Sequence, residues 1–193
     1  MRISHSHKFI FLATPRTGST TTRNVLDKYS DISSILISDI TKEFPFYHHI
    51  SALELKRIFE CRGWDWDSYE KFCFVRNPYD RVVSLYHHYL KMRKNWKVKN
   101  LKTFKTKLIF ITTRPPSFRD YVMNINTNDR LPTSLESFLC DEDGNFLVNE
   151  ILMFEKLKDD LPRYLNKLNL YGIYSPKLCF VKDKSVIIEH IYS

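Results

Sequence analysis

Two apolar runs in the chain each give way to a polar turn and then to a segment with helical spacing. Phe9 to Ala13 leads into Thr14-Pro-Arg-Thr-Gly18, and Phe72 to Val75 leads into Arg76-Asn77. Short apolar runs bounded by turn residues predict buried strands, and we call the turns after them the first loop (14–18) and the second loop (76–77). Because α/β proteins bind anions where a parallel strand passes into a helix, the two loops predict two phosphate-type sites.

The same alternation of apolar and polar positions extends along most of the chain. It predicts strands near residues 8–14, 33–38, 71–75 and 108–112, with further extended pieces near 146–152 and 178–192. It predicts helices near residues 19–29, 51–61, 79–93, 117–124 and 155–169. Strands alternating with helices indicate an α/β protein, with a three-layer, P-loop-like fold and a central parallel sheet flanked by helices. A length of 193 residues, 43% of them hydrophobic, fits a single domain spanning 1–193.

The first loop has the composition of an anion site. Gly18 lets the backbone turn without a Cβ, and the next four residues, Ser19 to Thr22, all carry hydroxyls around the first turn of the following helix. Arg16 adds a full positive charge. Serine and threonine also cap ordinary helices, but four in succession exceed what capping needs. The Gly-x-x-x-x-Gly-Lys spacing of ATP-binding loops is absent.

The second loop supplies a matching set of groups. Arg76 stands at the end of its strand, Pro78 suits the opening of a helix, and Ser84 lies about two turns further along. An arginine at a strand end and a helical serine form a second candidate phosphate site.

Together these motifs resemble sulfotransferases that use 3'-phosphoadenosine 5'-phosphosulfate (PAPS). Residues 15–20 resemble their 5'-phosphosulfate loop, and residues 76–84 resemble their 3'-phosphate motif. The aromatic strand followed by Val-Arg-Asn-Pro-Tyr-Asp-Arg and a serine is closest to the carbohydrate (Golgi-type) branch. Weaker likeness continues through residues 64–69, 117–121, 143–148 and 154–157, to about Leu170.

The resemblance implies a role for each matching residue. Arg16 corresponds to the cation near the oxygen that bridges phosphate and sulfonate, and so counts as both catalytic and donor-binding. Arg76 and Ser84 correspond to ligands of the 3'-phosphate. The 5'-phosphosulfate would be held by Thr17, Gly18, Ser19, Thr20 and Thr21. In-line sulfuryl transfer needs fixed donors and a cation at the leaving oxygen, and this scheme requires no metal.

A general base must take the proton of the acceptor hydroxyl, and histidine suits this task near neutral pH. His49 is our candidate, because related carbohydrate sulfotransferases often have a histidine just before the helix that Ser51 is expected to cap. His48 is the alternative at this position. Less favoured candidates are His87 and His88, within the helix after the second loop, and Glu43 and Glu54, since other members of the broader family use a glutamate.

Charge is concentrated in one stretch. Residues 91–107 hold eight of the 30 Lys and Arg residues, so the rest of the chain balances the 22 Asp and Glu residues. This basic segment is either a solvated, mobile surface loop or a surface that extends the positive field toward an anionic acceptor. Trp96 and Phe104 within it favour contact with a sugar or a partner.

Hydropathy and cysteine content predict the cellular compartment of the protein. The chain has no run of about 18 apolar residues and no signal-peptide pattern, so we expect a cytoplasmic protein without a membrane span. Four cysteines, at positions 61, 73, 140 and 179, lack the spacing of metal ligands and favour a reducing compartment.

The expected activity is PAPS-dependent transfer of a sulfuryl group to an acceptor hydroxyl, with adenosine 3',5'-bisphosphate (PAP) as product. The expected acceptor is a saccharide, either neutral or anionic. Nucleic acid is not an expected partner. Two other functions remain open. The chain is a non-catalytic binder of sulfated glycans if the acceptor site or the base is lost, and a P-loop-type kinase if a phosphate-binding lysine and an acidic Mg²⁺ ligand exist elsewhere.

Overall fold

The computed structural model describes residues 1–98, 101–124 and 134–170, with residues 101 and 102 described by backbone alone. Within these ranges five strands form one sheet: β1 Arg2–Ser4, β2 Phe9–Leu12, β3 Ile32–Ser33, β4 Glu70–Val75 and β5 Glu150–Met153. Their order across the sheet is β3-β1-β2-β4-β5. β2, β4 and β5 are parallel, whereas β1 is antiparallel to both of its neighbours. The parallel part therefore contains the two strands that precede the candidate anion loops.

Helices connect and cover these strands. They are α1 Ser19–Leu26, α2 Ala52–Cys61, α3 Pro78–Lys94, α4 Leu101–Thr112, α5 Phe118–Met123, α6 Glu136–Leu139 and α7 Leu157–Lys167. Short 3₁₀ turns occur at Asp27–Tyr29, Ile37–Asp39 and Phe154–Lys156. Among the helices described, none has the length and apolar character needed to cross a membrane.

The two central strands, β2 and β4, are buried on both faces, which is why residues 9–12 and 72–75 are continuous apolar runs. Side chains alternate along each strand, so Ile10 and Leu12 of β2 join a core with α2 and α6, whereas Phe9 and Phe11 join a second core with α1 and α7. This arrangement confirms the predicted three-layer α/β class. The parallel character of the sheet is only partial, because β1 pairs with β2 as an antiparallel hairpin.

The helices expected from periodicity are confirmed near their predicted positions, and Ser51 caps α2 by accepting a hydrogen bond of 3.2 Å from the Glu54 amide. The strand predicted at 108–112 is wrong, since these residues end α4. A short apolar run does not distinguish strand from helix by itself, and here Phe110 turns inward against Trp96 with a ring separation of 5.5 Å. The strand expected at 33–38 is limited to Ile32–Ser33 and a single bridge from Ile35 to Tyr47. The extended piece expected at 178–192 lies outside the described residues.

The basic segment 91–107 is mostly helical in its described part, so its interpretation as a surface loop is wrong there. Its first residues end α3 and its last residues lie in α4. Arg93 is buried, and its guanidinium donates to the carbonyls of Phe110 and Thr113 and to the Thr113 hydroxyl, which joins α3 to α4. Trp96 donates to the Thr103 carbonyl at 3.0 Å. These two residues therefore support the packing of the helix pair, whereas Phe104 is 52% exposed.

Candidate active site

The two candidate anion loops lie side by side at one edge of the sheet. β2 and β4 pair in parallel from Phe9–Glu70 to Leu12–Cys73, so both strands end at the same edge. The first loop continues from β2 and the second from β4. Parallel pairing thus brings together two sequence motifs separated by roughly sixty residues, as the strand–loop–helix pattern predicts.

The first loop turns sharply through two left-handed residues. Arg16 has φ 65° and Gly18 has φ 71°. A glycine adopts this conformation without penalty, whereas an arginine in it stores local strain. Gly18 is also closely covered, since a Cβ at this position would lie 2.8 Å from Phe154 Cε2 and 3.0 Å from Leu157 Cδ2. The absence of a side chain is therefore required by both the turn and the packing.

Two buried threonines fix this loop to β4. Thr14 and Thr17 are each 1% exposed, and their hydroxyl oxygens lie 2.7 Å apart. The Thr17 hydroxyl donates to the Thr14 carbonyl at 2.9 Å, and the Thr14 hydroxyl donates to the Phe74 carbonyl. The Thr17 side chain is thus engaged within the protein, and the group it can offer to a ligand is its backbone N–H.

The first turn of α1 presents donors toward the loop. Gly18 is the N-cap and provides no side-chain cap, while the first backbone bond of the helix runs from the Thr22 amide to the Gly18 carbonyl at 3.1 Å. The amides of Ser19, Thr20 and Thr21 precede this bond and have no carbonyl one turn back within the helix. Their N–H groups and the positive end of the helix dipole are groups of the kind that bind anions in other proteins. The hydroxyls differ, because Ser19 is buried and Thr20 is exposed.

Arg16, Ser84 and Arg76 come together between the two loops. Arg16 Nε donates to Ser84 Oγ at 2.9 Å, and Arg76 Nη1 donates to the Arg16 carbonyl at 3.5 Å. The Ser84 oxygen accepts from Arg16, so its own proton remains available for a phosphate oxygen. Arg76 Nε is buried and has no hydrogen-bond partner among the described residues. A buried guanidinium N–H without a partner costs stability, so this arginine is held at the end of β4 at some energetic expense.

The segment Phe154–Glu155, just after β5, connects both loops. The Arg76 guanidinium lies over the Phe154 ring, 4.6 Å from its centroid, and the same ring covers Gly18. Glu155 Oε1 accepts a hydrogen bond of 2.8 Å from the Asn77 amide. One aromatic ring and one carboxylate therefore set the position of the second loop relative to the first.

His49 lies beside the first loop, at the end of β2. Its Nδ1 is 2.7 Å from the Ala13 carbonyl oxygen. A carbonyl can only accept, so Nδ1 carries the proton and the neutral ring has its lone pair on Nε2. Among the described residues Nε2 has no hydrogen-bond partner. Burial lowers the pKa of His49, against the opposing effect of the Ala13 bond, so that the ring is neutral at physiological pH.

His48 has the opposite arrangement. Its Nδ1 lies 2.7 Å from both Arg23 Nη1 and Ser34 Oγ. Because a guanidinium can only donate, Nδ1 is an acceptor already in use and the proton of the neutral ring lies on Nε2. Burial, followed by the charge of Arg23, lowers the pKa of His48 to about 4.

The glutamate and α3 histidine candidates for the base are either hydrogen-bonded elsewhere or exposed. Glu54 accepts a hydrogen bond of 2.6 Å from the Tyr47 hydroxyl, and the side chain of Glu43 is exposed. His87 and His88 are exposed on α3, and His88 lies near enough to His49 to affect its charge.

Three groups at the site were not among the predicted site residues: Arg23, Phe154 and Glu155. Residues 154–157 carry only the weaker likeness to the family, which assigns them no role. Arg23 follows Ser19 by one helical turn, and this spacing is the available indication that it faces the first loop. The contacts of Phe154 and Glu155 with residues some eighty and more positions earlier arise from the pairing of β4 with β5.

The residues that the structure describes include no candidate metal site. Over residues 1–98, 101–124 and 134–170, no three His, Cys, Asp or Glu side chains are grouped as a metal site.

Comparison with known proteins gives one extensive match. The sequence model described as "Sulfotransferase family" matches residues 1–175. An uncharacterized protein of Archaeoglobus fulgidus is 26% identical over 104 residues, which are 54% of this chain and 71% of that protein. A crystal structure of mouse sulfotransferase SULT7A1 complexed with PAP superposes with a TM-score of 0.39 and 18% identity. That alignment covers 90% of this chain and 62% of the mouse chain, so this chain spans less than two thirds of its length.

Proposed function

Because the chain belongs to the sulfotransferase family, we propose that it transfers a sulfuryl group from PAPS to an acceptor hydroxyl. The observation that carries this proposal is the convergence of Arg16, Arg76 and Ser84 between two loops at the ends of adjacent parallel strands. Two anion sites joined by these residues suit a donor with charged groups at its 5' and 3' positions.

The first loop is the proposed 5'-phosphosulfate site. The amides of Thr17 and Gly18 and of the first turn of α1, Ser19 to Thr21, are suited to hold the phosphosulfate oxygens. Arg16 is the cation proposed to stabilise negative charge on the leaving oxygen as the bond to sulfur breaks. Its hydrogen bond to Ser84 places this charge between the two anion sites.

The second loop is the proposed 3'-phosphate site. Arg76 follows the end of β4 and carries a guanidinium that can donate to a phosphate, and Ser84 has a hydroxyl proton to donate. Arginine suits phosphate because its planar group donates two parallel hydrogen bonds. The Phe154 ring holds the guanidinium from its other side, which limits the orientations open to it.

His49 is the proposed general base. The Ala13 carbonyl holds its proton on Nδ1, so Nε2 can accept the proton of the acceptor hydroxyl while that oxygen attacks sulfur. His48 is less suited, since its free nitrogen carries the proton. Anchoring His49 to Ala13 fixes the base relative to the loop that holds the donor, which is the positioning that in-line transfer needs.

A saccharide is the proposed acceptor. The likeness of residues 72–84 to the carbohydrate branch favours it, and the exposed lysines of the basic segment, such as Lys97 and Lys105, favour an acceptor bearing carboxylate or sulfate.

The donor site is tested by comparing two nucleotides that differ in the 3'-phosphate alone. Arg76→Ala should weaken PAP binding by about 10- to 150-fold, as expected for a charge-assisted hydrogen bond of about 1.5–3 kcal/mol, while adenosine 5'-phosphate binding changes little. Titration calorimetry measures both affinities. The control is Arg119→Ala, at an exposed arginine of α5. Equal losses for the two nucleotides would refute the 3'-phosphate assignment.

The base is tested separately from donor binding. His49→Ala should keep its affinity for PAP but lose about 10²- to 10⁴-fold in turnover, the usual contribution of a general base. The assay follows ³⁵S from labelled PAPS into pools of neutral and anionic saccharides. His7→Ala, at an exposed histidine of the turn between β1 and β2, is the matched control. Unchanged turnover in His49→Ala would assign the base elsewhere, and glycan binding without any label transfer would favour a non-catalytic binder.

A further inference from the structure

Arg23 lies between the first turn of α1 and the turn that carries His48 and His49. Its Nε donates to the Ser19 carbonyl at 3.2 Å, and its Nη2 donates to Thr20 Oγ1 at 3.4 Å. Its Nη1 donates to His48 Nδ1 at 2.7 Å. A single guanidinium thus spans from the proposed phosphosulfate site to the residue adjacent to the proposed base.

The surroundings of Arg23 are unusual for an arginine that only supports packing. It is half-buried, and among the described residues no carboxylate lies within ion-pair distance of it. Asp27, in the turn just after α1, pairs instead with Arg2 at 2.5 Å. Burial is the main cause of the lowered pKa of Arg23. A partly desolvated charge with only neutral partners costs stability, so a purely structural role would be better served by a neutral side chain.

We propose that Arg23 is a positioning residue for the base, holding the His48–His49 turn against the first turn of α1. The inference rests on the proposed function, since it assumes that His49 removes the acceptor proton. Arg23 acts through His48, while His49 is fixed from its other side by Ala13. The two contacts together hold the imidazole of His49 in register with the loop that binds the donor. Displacing a base by about 1 Å can reduce turnover by about 10²-fold.

Arg23 also acts on His49 through its charge. The charged or titratable groups facing His49 are Arg23 from α1, His88 from α3, the Met1 amino group beside β1, and His48 on the same turn. Arg23 and the Met1 amino group both favour the neutral ring. A base works only when deprotonated, so these charges keep it active at lower pH. Removing the charge of Arg23 should therefore shift the acidic limb of the rate profile to higher pH.

The main test compares Arg23→Gln, Arg23→Lys and the control Lys28→Gln, which removes a charge from the exposed turn just after α1. Arg23→Gln should lower kcat by about 10- to 100-fold and move the acidic limb of kcat/KM to higher pH. Arg23→Lys should restore the position of the limb but not the full kcat, because a lysine cannot reach all three acceptors. PAP affinity should change by less than about threefold in each variant. An equal loss of PAP affinity and kcat would make Arg23 a donor ligand and overturn the inference.

A second variant and a direct measurement guard against simple misfolding. His48→Ala breaks the same link without altering α1, and Arg23→Gln combined with His48→Ala should lose no more kcat than Arg23→Gln alone. In histidine NMR titrations, Arg23→Gln should raise the pKa of His48 from about 4 toward its usual value of about 6.5. Fully additive losses, or an unchanged His48 titration, would contradict the inference.

These outcomes separate this inference from the proposed function. If His49→Ala retains full turnover, the assignment of the base fails, while the NMR titration still reports whether Arg23 holds His48. If His49→Ala abolishes transfer and Arg23→Gln leaves both kcat and the acidic limb unchanged, the role of Arg23 alone is refuted.

Discussion

The close covering of Gly18 by Phe154 makes Gly18→Ala a sharp test of the site. A Cβ there would lie 2.8 Å from Phe154 Cε2, closer than a Cβ approaches other atoms in proteins, and 3.0 Å from Leu157 Cδ2, which is tighter than most Cβ contacts. The residue also has φ 71°, where a non-glycine residue loses about 1–2 kcal/mol. Overpacking adds about 1–3 kcal/mol, so the free energy of unfolding should fall by about 2–5 kcal/mol.

Gly63→Ala is the matched control. Gly63 has φ 66°, but a Cβ there meets no atom within 4 Å. This control should therefore lose only the backbone cost of about 1–2 kcal/mol. For a domain of this size each kcal/mol lowers Tm by about 2–4 °C, so thermal unfolding followed by circular dichroism resolves the two variants. PAP binding should weaken in Gly18→Ala alone. Equal destabilisation by the two substitutions would show that Phe154 does not pack tightly against the first loop. It would then be wrong that Phe154 fixes the position of one loop relative to the other.

Two further predictions concern the stability of the residues around the site. Thr14→Val should lower the free energy of unfolding, measured in urea titrations, by about 1–3 kcal/mol, because the buried Phe74 carbonyl loses its hydrogen-bond donor. The control is Thr112→Val, at an exposed threonine, and an equal loss in the control would contradict the prediction. The pKa of His48 is about 4 in the folded protein and about 6.5 in the unfolded chain. Between these pH values the unfolded state binds more protons, so the free energy of unfolding should fall as the pH drops from about 6.5 to about 4. His48→Gln should flatten that dependence in urea titrations at a series of pH values, and an unchanged slope would show that other groups cause it.

The parts of the site that depend on local order are predictable from the sequence. A buried strand, a glycine-containing turn and a helix with hydroxyls in its first turn are adjacent in the chain, so the local pattern alone predicts the first loop and α1. The second loop follows in the same way from Arg76 and Pro78. The proximity of the two loops also follows, because strands that alternate with helices pair in parallel and end at one edge.

Contacts between distant segments are not predictable in this way. The ring of Phe154 reaches Gly18 and Arg76 only because β5 pairs with β4, and no local pattern encodes which aromatic residue will cover a loop. The bond from His49 to the Ala13 carbonyl likewise depends on how the loop before α2 crosses the end of β2. The strand predicted at 108–112 is wrong for a related reason, since an apolar run does not reveal that Trp96 and Arg93 face Phe110 as parts of a helix pair.

The pairing of β2 with β4 also determines when the site can form during folding. Residues 9–12 pair with residues 70–73, so the chain must close a loop of roughly sixty residues before the two anion loops meet. Such non-local contacts form slowly compared with helices and hairpins. The β1–β2 hairpin can form early, but it carries only the first loop. A nascent chain that ends before β4 therefore lacks one of the two proposed anion sites, and recovery of PAP binding should coincide with the slow phase of refolding.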